Sequence, residues 1–537
     1  MAALPVLGAS RFEALFEDSA RTVLETAALP AFLVRQRWFG AKARGVGRVR
    51  LADGGPLQPP LTPFLAVADV EFADGGVERY ALPLTVLARE HAEALLSRRP
   101  SAAVAWIDAE GSRLLVDALS DDDACRGLLA AIEARTRFVL VTGSVATERD
   151  AATVVQEPLA QMAVRRSGAE QSNSSVIFDR ASILKVYRRL EPGPHPELEL
   201  GRFLRRAGFT DVPAVLGSME YTSDGGSCAL AVLHALVPDA IDGWEHALEH
   251  AGQYFARVAP MPVHQARAWM APQRAPLGHS DSFEPAAREA FGVYLDAART
   301  LGRQTAALHV TLSRGTDEGL APEPMSAADL AALVESTRAR ARAALTLLAE
   351  RQPSTGAGAE RARALIAAQS RLFERCDALA GMQLDVMKTR CHQDYHLGQL
   401  LWTGARYALL DFEGEPARPL ADRRRKRPPL TDVAGMLRSY SYAAWSGLFA
   451  WSRAHRADAL EREPWATLWE TAVSDAFLTT YLDATRGAAF MPPDDRQLWA
   501  LLELLMTDKA LYELDYELNN RPDWLPVPIE GLLRLLR

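Results

Sequence analysis

The chain has little cysteine, no long apolar run and no excess of basic charge. Its four cysteines, Cys125, Cys228, Cys376 and Cys391, are scattered along 537 residues and form no CxxC pair. That excludes a zinc knuckle and a disulfide framework, and it points to a reducing compartment, the cytoplasm. No stretch of about 18 consecutive apolar residues is present, so no membrane span is expected. The opening residues, MAALPVLGASRFEALF, lack the basic start and apolar centre of a secretory signal. With 60 basic against 68 acidic side chains and a formal net charge of -8, the protein is not expected to bind nucleic acid or a membrane surface. No internal repeat is visible.

What the chain does have is the composition of a globular protein, 48% hydrophobic and 24% charged, at a length that suggests roughly two to four structural units. The first hundred residues mix helical and strand patterns. Residues 61–70 and 80–86 read as strands around the turn Ala73-Asp74-Gly75-Gly76, and 10–29 has apolar residues at helical spacing. A β-rich stretch follows, with strand patterns at 113–119, 138–142 and 162–165. A hairpin of 175–178 and 182–187 turns at Asp179-Arg180, an amphipathic helix covers 197–207 and stops at Gly208, and a buried strand covers 228–233. From about residue 240 long helical patterns dominate, at 286–312, 326–351, 358–381, 464–486 and 496–518. They are interrupted by strand signals at 399–402 and 407–410. The expected division is therefore 1–100, 101–238 and 239–537.

The strongest chemical signal is Cys391-His392-Gln393-Asp394-Tyr395-His396-Leu397-Gly398-Gln399, followed after a short hairpin pattern by Asp411-Phe412-Glu413. Phosphoryl transfer needs a carboxylate to orient the attacking hydroxyl and oxygen ligands to hold magnesium on the phosphates. Asp394, the Gln399 amide and Asp411 are the residue types for that task. The bland alternative, a chance HxD, is weakened because Lys185, Glu199, Asp394, Gln399 and Asp411 fall in kinase order.

The string HQDYHLGQ resembles the HxDxHxxN catalytic loop of aminoglycoside-phosphotransferase-like kinases, and DFE resembles their magnesium motif. Within that group the chain resembles the maltokinases. The resemblance is carried by EQSNSS (170–175), LKVYRRLEPGPHPELELGRFL (184–204), DFEGEPARPLADRRRKRPPLTDVAGMLRSYSYAA (411–444) and YELDYELNNRPDWLPVPIEGLL (512–533). LPAFLVRQRWFGAKAR (29–44) resembles their N-terminal cap. In two places the chain departs from the pattern: Gln399 stands where most such kinases have Asn, and Gln393 where maltokinases usually have Gly.

The resemblance implies an α+β, bilobal protein-kinase-like fold with an α+β cap (1–100), a β-rich nucleotide-binding lobe (101–238) and a large helical lobe carrying the catalytic loop and sugar site (239–537). ATP and magnesium are expected between the lobes. Asp394 is then the base, and Gln399 and Asp411 hold the metal. Lys185 contacts the phosphates and pairs with Glu199, or failing that Glu197. Ser172, Asn173, Ser174 and Ser175 cover the phosphates without glycines, and His234-Ala235-Leu236 form the adenine hinge. Asp432 supports the catalytic loop. His396, Glu413, Arg438, Tyr442, Tyr512, Glu513 and Tyr516, with Arg521, are the sugar-site candidates, against the plainer reading that the last of these tie the final helix to its lobe. Trp38 and Phe39 read as core rather than as a sugar platform. The implied reaction converts maltose to maltose 1-phosphate for α-glucan synthesis, with trehalose synthase, fused or associated, as the implied partner. The rivals are another sugar kinase of the fold, such as a glucosamine kinase, and a non-catalytic kinase-like module.

Overall fold

The computed structural model describes residues 4–8, 17–57, 63–108, 110–150, 161–167, 173–270, 285–351, 356–416, 418–456 and 459–536. They belong to two compact units. One comprises Met1–Arg205, Pro213–Pro238 and Arg418–Leu420, and the other comprises Arg206–Val212, Asp239–Ala417 and Ala421–Arg537. The α+β, kinase-like class expected from the sequence is the observed one.

The first unit holds two antiparallel sheets. Strands β1 (Val46–Pro56), β2 (Phe64–Phe72), β3 (Val77–Ala88), β4 (Ala103–Trp106) and β5 (Arg113–Asp117) run in the order β1-β2-β3-β5-β4. β4 and β5 thus complete the leading sheet, which does not end near residue 100 as the sequence suggests. Strand 113–117 is apolar enough to suit either sheet, and pairing with β3, from Leu84↔Asp117 to Ala88↔Arg113, decides it. Trp38 (8% exposed) and Phe39 (0%) sit in this sheet's core beside Phe72 and Tyr80.

The second sheet contains β6 (Arg137–Val139), β7 (Ser144–Arg149), β8 (Val164–Arg166), β9 (Asn173–Phe178), β10 (Ser182–Tyr187), β12 (Val215–Ser223) and β13 (Gly226–Ala235), ordered β6-β7-β12-β13-β10-β9-β8. The short β11 (Arg189–Leu190) continues β10 across to the first sheet, where it pairs with β3. Helix Asp122–Glu133, capped by Asp121 accepting from Ala124 N–H, packs its apolar stripe on this sheet. Helix Pro196–Arg206 follows β11.

The other unit is mostly helical. Its principal helices are Gly243–Val258, Tyr294–Leu312, Ala327–Arg351, Leu430–His455, Ala459–Ala484 and Asp495–Asn520. The pattern expected as one helix over 286–312 is two, broken at Gly292, whose φ of +66° lies in the left-handed region. A small sheet of Ile241–Asp242, Leu400–Trp402 and Tyr407–Leu409 turns at Gly404 and positions the segment 391–399 that leads into it. Helix Leu430–His455 approaches that segment closely because position 435 is glycine: a Cβ there would stand 2.7 Å from the Tyr395 carbonyl oxygen.

Candidate active site

In the first unit the chemistry gathers on one face of β10. Side chains alternate along a strand, so Lys185 and Tyr187 share one face, while Leu184 and Val186 enter the core under helix Asp122–Glu133. Glu197, in the first turn of helix Pro196–Arg206, faces Lys185. Its Oε2 takes Lys185 Nζ at 3.2 Å and the Tyr187 hydroxyl at 2.6 Å, and its Oε1 takes His234 Nε2 at 2.9 Å. Only 4% of the Glu197 side chain is exposed. Burial opposes its charge, but Lys185 foremost, then His234 and His195, hold the carboxyl well below 4.5. The partner of Lys185 is therefore Glu197, not Glu199. Two residues on, Glu199 is turned roughly 200° around the helix.

Three groups of the segment expected as the adenine hinge have partners within the unit. The His234 ring is committed to Glu197. The Leu236 N–H donates to Ala181 O at 2.9 Å and the Ala235 N–H to Ala214 O at 2.9 Å. Ser172 lies outside the described residues. Asn173, Ser174 and Ser175 form the start of β9, opposite Tyr187, Val186 and Lys185 respectively. Ser174 therefore belongs to the face away from Lys185, and its hydroxyl accepts from Arg188 Nε at 2.9 Å instead of facing the lysine.

In the second unit Asp432 organises the segment that carries Asp394. It is 1% exposed and sits in the first turn of helix Leu430–His455. Its Oδ2 accepts from the His392 N–H at 2.8 Å and from His309 Nε2 at 3.1 Å, and its Oδ1 accepts from the Gln393 N–H at 2.8 Å. Burial works against ionisation, yet His309 and these N–H groups keep the carboxyl below its usual range. His392 donates from Nε2 to Leu410 O at 2.6 Å, and Phe412 lies against its ring at 4.8 Å. The loop is thereby fastened at Asp432 on one side and to the segment leading into Asp411 on the other.

Asp394 itself keeps 21% of its side chain exposed. His396 Nδ1 accepts from the Gly398 N–H at 3.1 Å, so in the neutral ring the proton is on Nε2, which points to Asp394 Oδ2 at 3.8 Å. Gln399 donates its N–H to His396 O and accepts at its carbonyl from Leu410 N–H, both at 2.9 Å. Those bonds register the Asp394 segment against Asp411. Asp411 is partly exposed and has a left-handed φ of 54°. The donors offered by Gln399 and Asp411, an amide oxygen and a carboxylate, are the hard oxygens that magnesium selects.

The other departure from the family pattern has a structural reason. Gln393 has φ 67°, a conformation for which glycine is the ordinary choice. Its side chain compensates: Nε2 donates to Arg423 O at 2.8 Å and Arg425 O at 3.0 Å, and Oε1 accepts from Arg427 Nε at 3.0 Å. The run Arg423–Arg427 is thus tied to the Asp394 segment by the carbonyls of Arg423 and Arg425 and by the Arg427 side chain. Buried Arg423 also approaches Glu413 at 3.8 Å.

The sugar-site candidates divide. Arg438 (2% exposed) and Glu513 (8%) form a buried pair, with Nε to Oε2 at 2.9 Å, that ties two helices together and gives a sugar no access. Tyr442 donates to buried Glu517 at 2.9 Å, and Arg521 also bonds Glu517, at 2.6 Å. Tyr512 is partly exposed and donates to Glu415, four residues past Asp411, at 2.6 Å. Tyr516 is 44% exposed. His309, which orients Asp432 from a distant helix, carries no signal in the sequence around it. Tyr187 follows Lys185 by two and was legible from strand alternation.

Comparison with known proteins gives the family and the fold. Residues 32–121 match the family model described as the maltokinase N-terminal cap domain, and residues 162–469 match that of the phosphotransferase enzyme family. A glucosamine kinase of Streptacidiphilus jiangxiensis is 29% identical over 373 residues, covering 68% of this chain and 72% of that protein. One of Mycolicibacterium smegmatis is 26% identical over 368 residues, covering 68% and 78%. A solved glucosamine kinase in complex with glucosamine, ADP and inorganic phosphate shares the fold with a TM-score of 0.59 at 24% identity, over 96% of this chain and 98% of that one. A further glucosamine kinase structure, crystal form B, gives 0.58 at 25% identity over 97% and 99%.

Proposed function

Because the chain belongs to the phosphotransferase enzyme family and carries a maltokinase-type cap, we propose that it is an ATP-dependent sugar kinase that converts maltose to maltose 1-phosphate. The observation that carries the kinase reading is the hold on the Asp394 loop, whose two N–H groups at His392 and Gln393 are fixed by the buried Asp432 carboxylate. A pre-set carboxylate next to an amide and a second carboxylate is what phosphoryl transfer asks of a protein, since positioning supplies most of the catalysis.

In this reading Asp394 accepts a hydrogen bond from the anomeric hydroxyl of maltose. The hydroxyl oxygen forms a bond to the γ-phosphorus, the bond from that phosphorus to the β,γ-bridging oxygen breaks, and ADP leaves with the electron pair. The hydroxyl proton passes to Asp394. Lys185, oriented by Glu197, neutralises phosphate oxygens. Gln399 and Asp411 would hold magnesium, which when bound offsets the charge on the phosphates. Asn173 and Ser175 remain phosphate-covering candidates, and Tyr512, Tyr516, His396 and Glu413 remain acceptor-side candidates.

Maltose is supported by the motif resemblance at 170–175, 184–204, 411–444 and 512–533. In this setting trehalose synthase, as the source of maltose, is the proposed partner, and the cytoplasm the proposed compartment. No described helix is long and apolar enough to cross a membrane. A second acceptor, glucosamine, is favoured by the names of the relatives. The test is magnesium-ATP turnover over maltose, glucose, glucosamine, trehalose and kanamycin, with Asp394→Asn as control. Selective maltose turnover, reduced about 10²–10⁴-fold in the variant, is expected. Turnover of glucosamine alone replaces the acceptor and leaves the mechanism. A folded protein that turns over none of them rejects the kinase reading in favour of a binding module.

A further inference from the structure

The face of the nucleotide sheet opposite Lys185 carries a second concentration of charge, entirely within the first unit. A cavity of about 240 Å³ is lined by Arg35, Arg37, Arg99, Arg166 and Arg188 with a single carboxylate, Asp117. Five guanidiniums around one small cavity are out of keeping with a chain whose net charge is -8. Asp117 neutralises little of this. Its Oδ2 takes Arg188 Nη2 at 2.7 Å, and its Oδ1 is used by the Leu119 N–H at 3.0 Å. Arg166 pairs with Asp122, whose side chain is 48% exposed, and Arg35 donates to a backbone carbonyl, Ala103 O, at 2.7 Å.

Arg188 shows what the cavity requires. It is 2% exposed and fixed on three sides: Nε on Ser174, Nη2 on Asp117, and the guanidinium 4.8 Å from the Trp38 ring centre. Its Nη1 is buried and has no hydrogen-bond acceptor among the described residues. A buried charged donor left without an acceptor is costly, and such a group in a folded protein calls for a water or a ligand as its acceptor. Ser120, Ser167 and Ser174 add hydroxyls to the lining.

We propose that this cavity binds a phosphoryl-bearing anion, inorganic phosphate or a small sugar phosphate, through Arg188 and the surrounding arginines. A phosphoryl group presents three or more acceptor oxygens in different directions and suits guanidiniums converging from separate elements, whereas a monocarboxylate offers two in one plane. The volume lies below the roughly 300–1,000 Å³ of sites for drug-sized ligands and suits a small anion. The site is built from the cap (Arg35, Arg37, Arg99), from β8 and β9, and from the residue after β10. Its occupant would therefore bridge the unit's two sheets.

The site does not depend on the transfer reaction and is tested without it. Inorganic phosphate and maltose 1-phosphate are titrated calorimetrically into the full chain at constant ionic strength, with magnesium and a non-hydrolysable ATP analogue saturating the nucleotide site. The variants are Arg99→Glu and the double variant Arg35→Ser/Arg99→Ser. Arg35 and Arg99 are exposed and outside the catalytic groups, and circular dichroism checks that each variant folds. Saturable binding of at least one anion, weakened tenfold or more by either folded variant, is expected. Tighter binding of the sugar phosphate identifies a metabolite site, and equal affinity identifies a phosphate site. Absence of binding by both anions, or binding that neither variant weakens, overturns the proposal.

Discussion

Glu197 and Asp432 are both buried carboxylates kept ionised, one in each unit, but they are kept so by different means. Glu197 is surrounded by side chains, with Lys185, Tyr187 and His234 on its two oxygens. Asp432 is surrounded mainly by backbone, with the His392 and Gln393 N–H groups and one imidazole. The first arrangement balances charge, and its purpose is the lysine it orients. The second shapes a loop, and its purpose is the position of Asp394. The difference teaches where each site is fragile: the first to loss of charge, the second to loss of acceptor geometry.

Removing the charge at Glu197 should have the larger effect. Glu197→Gln keeps the shape but removes the buried charge that Lys185, with 8% of its side chain exposed, faces at 3.2 Å. The expected cost is about 3–5 kcal/mol in denaturant unfolding, together with a raised KM for ATP. A loss below 1 kcal/mol would mean that the pair is not buried in solution. Asp432→Asn should cost less, about 2–3 kcal/mol, because the amide can accept from only one of the two N–H groups and turns its own donors toward the other. Its signature is kinetic: kcat falls while the KM for ATP stays, since Lys185 is untouched. Equal changes in KM for both variants would erase the distinction.

Acid separates the two as well. Both carboxyls are depressed in the folded state, so the unfolded chain binds more protons and stability falls as pH falls. The Glu197 contribution is complete above its unfolded value of 4.5, and that of Asp432 above 3.8; each is lost as pH falls through the lower folded value. Glu197→Gln should therefore flatten the stability curve from about pH 4.5 downward, read from unfolding midpoints at stepped pH. An unchanged acid limb would show that Glu197 is not depressed.

Both sites were partly legible in the sequence. Lys185, Asp394, Asp411 and Asp432 stand in motifs short enough to read in line, and hairpin 175–187 was visible because strand alternation and turn chemistry agree there. The choice of Glu199 over Glu197 failed because both lie in one helical turn, and only the packing angle of that helix selects between them. Helix Leu430–His455 escaped notice because it is buried nearly all round and has no polar stripe to set a period. Strand β12 was missed for a related reason: its polar residues Ser218 and Glu220 interrupt the apolar run, and its place in the sheet is set by pairing with β7 and β13. His309 meets Asp432 across 123 residues of chain, a relation that only the fold creates.

Gln393 gives the smallest expected effect and the sharpest test of the backbone-held site. Its N–H is one of the two donors on Asp432, its φ of 67° carries strain of about 1–2 kcal/mol for a residue with a Cβ, and its side chain makes three hydrogen bonds to the Arg423–Arg427 run. The two contributions pull in opposite directions. Gln393→Gly removes the strain and the bonds together, so stability should change by less than about 1 kcal/mol. Gln393→Ala keeps the strain and loses the bonds, and should be less stable than the glycine variant by about 1 kcal/mol. If alanine is the more stable of the two, the loop does not hold a left-handed residue at this position, and the account of why glutamine replaces the family's glycine fails with it. If the order holds while Gln393→Gly also lowers kcat, the side-chain bonds serve to position Asp394 as well as to offset the strain.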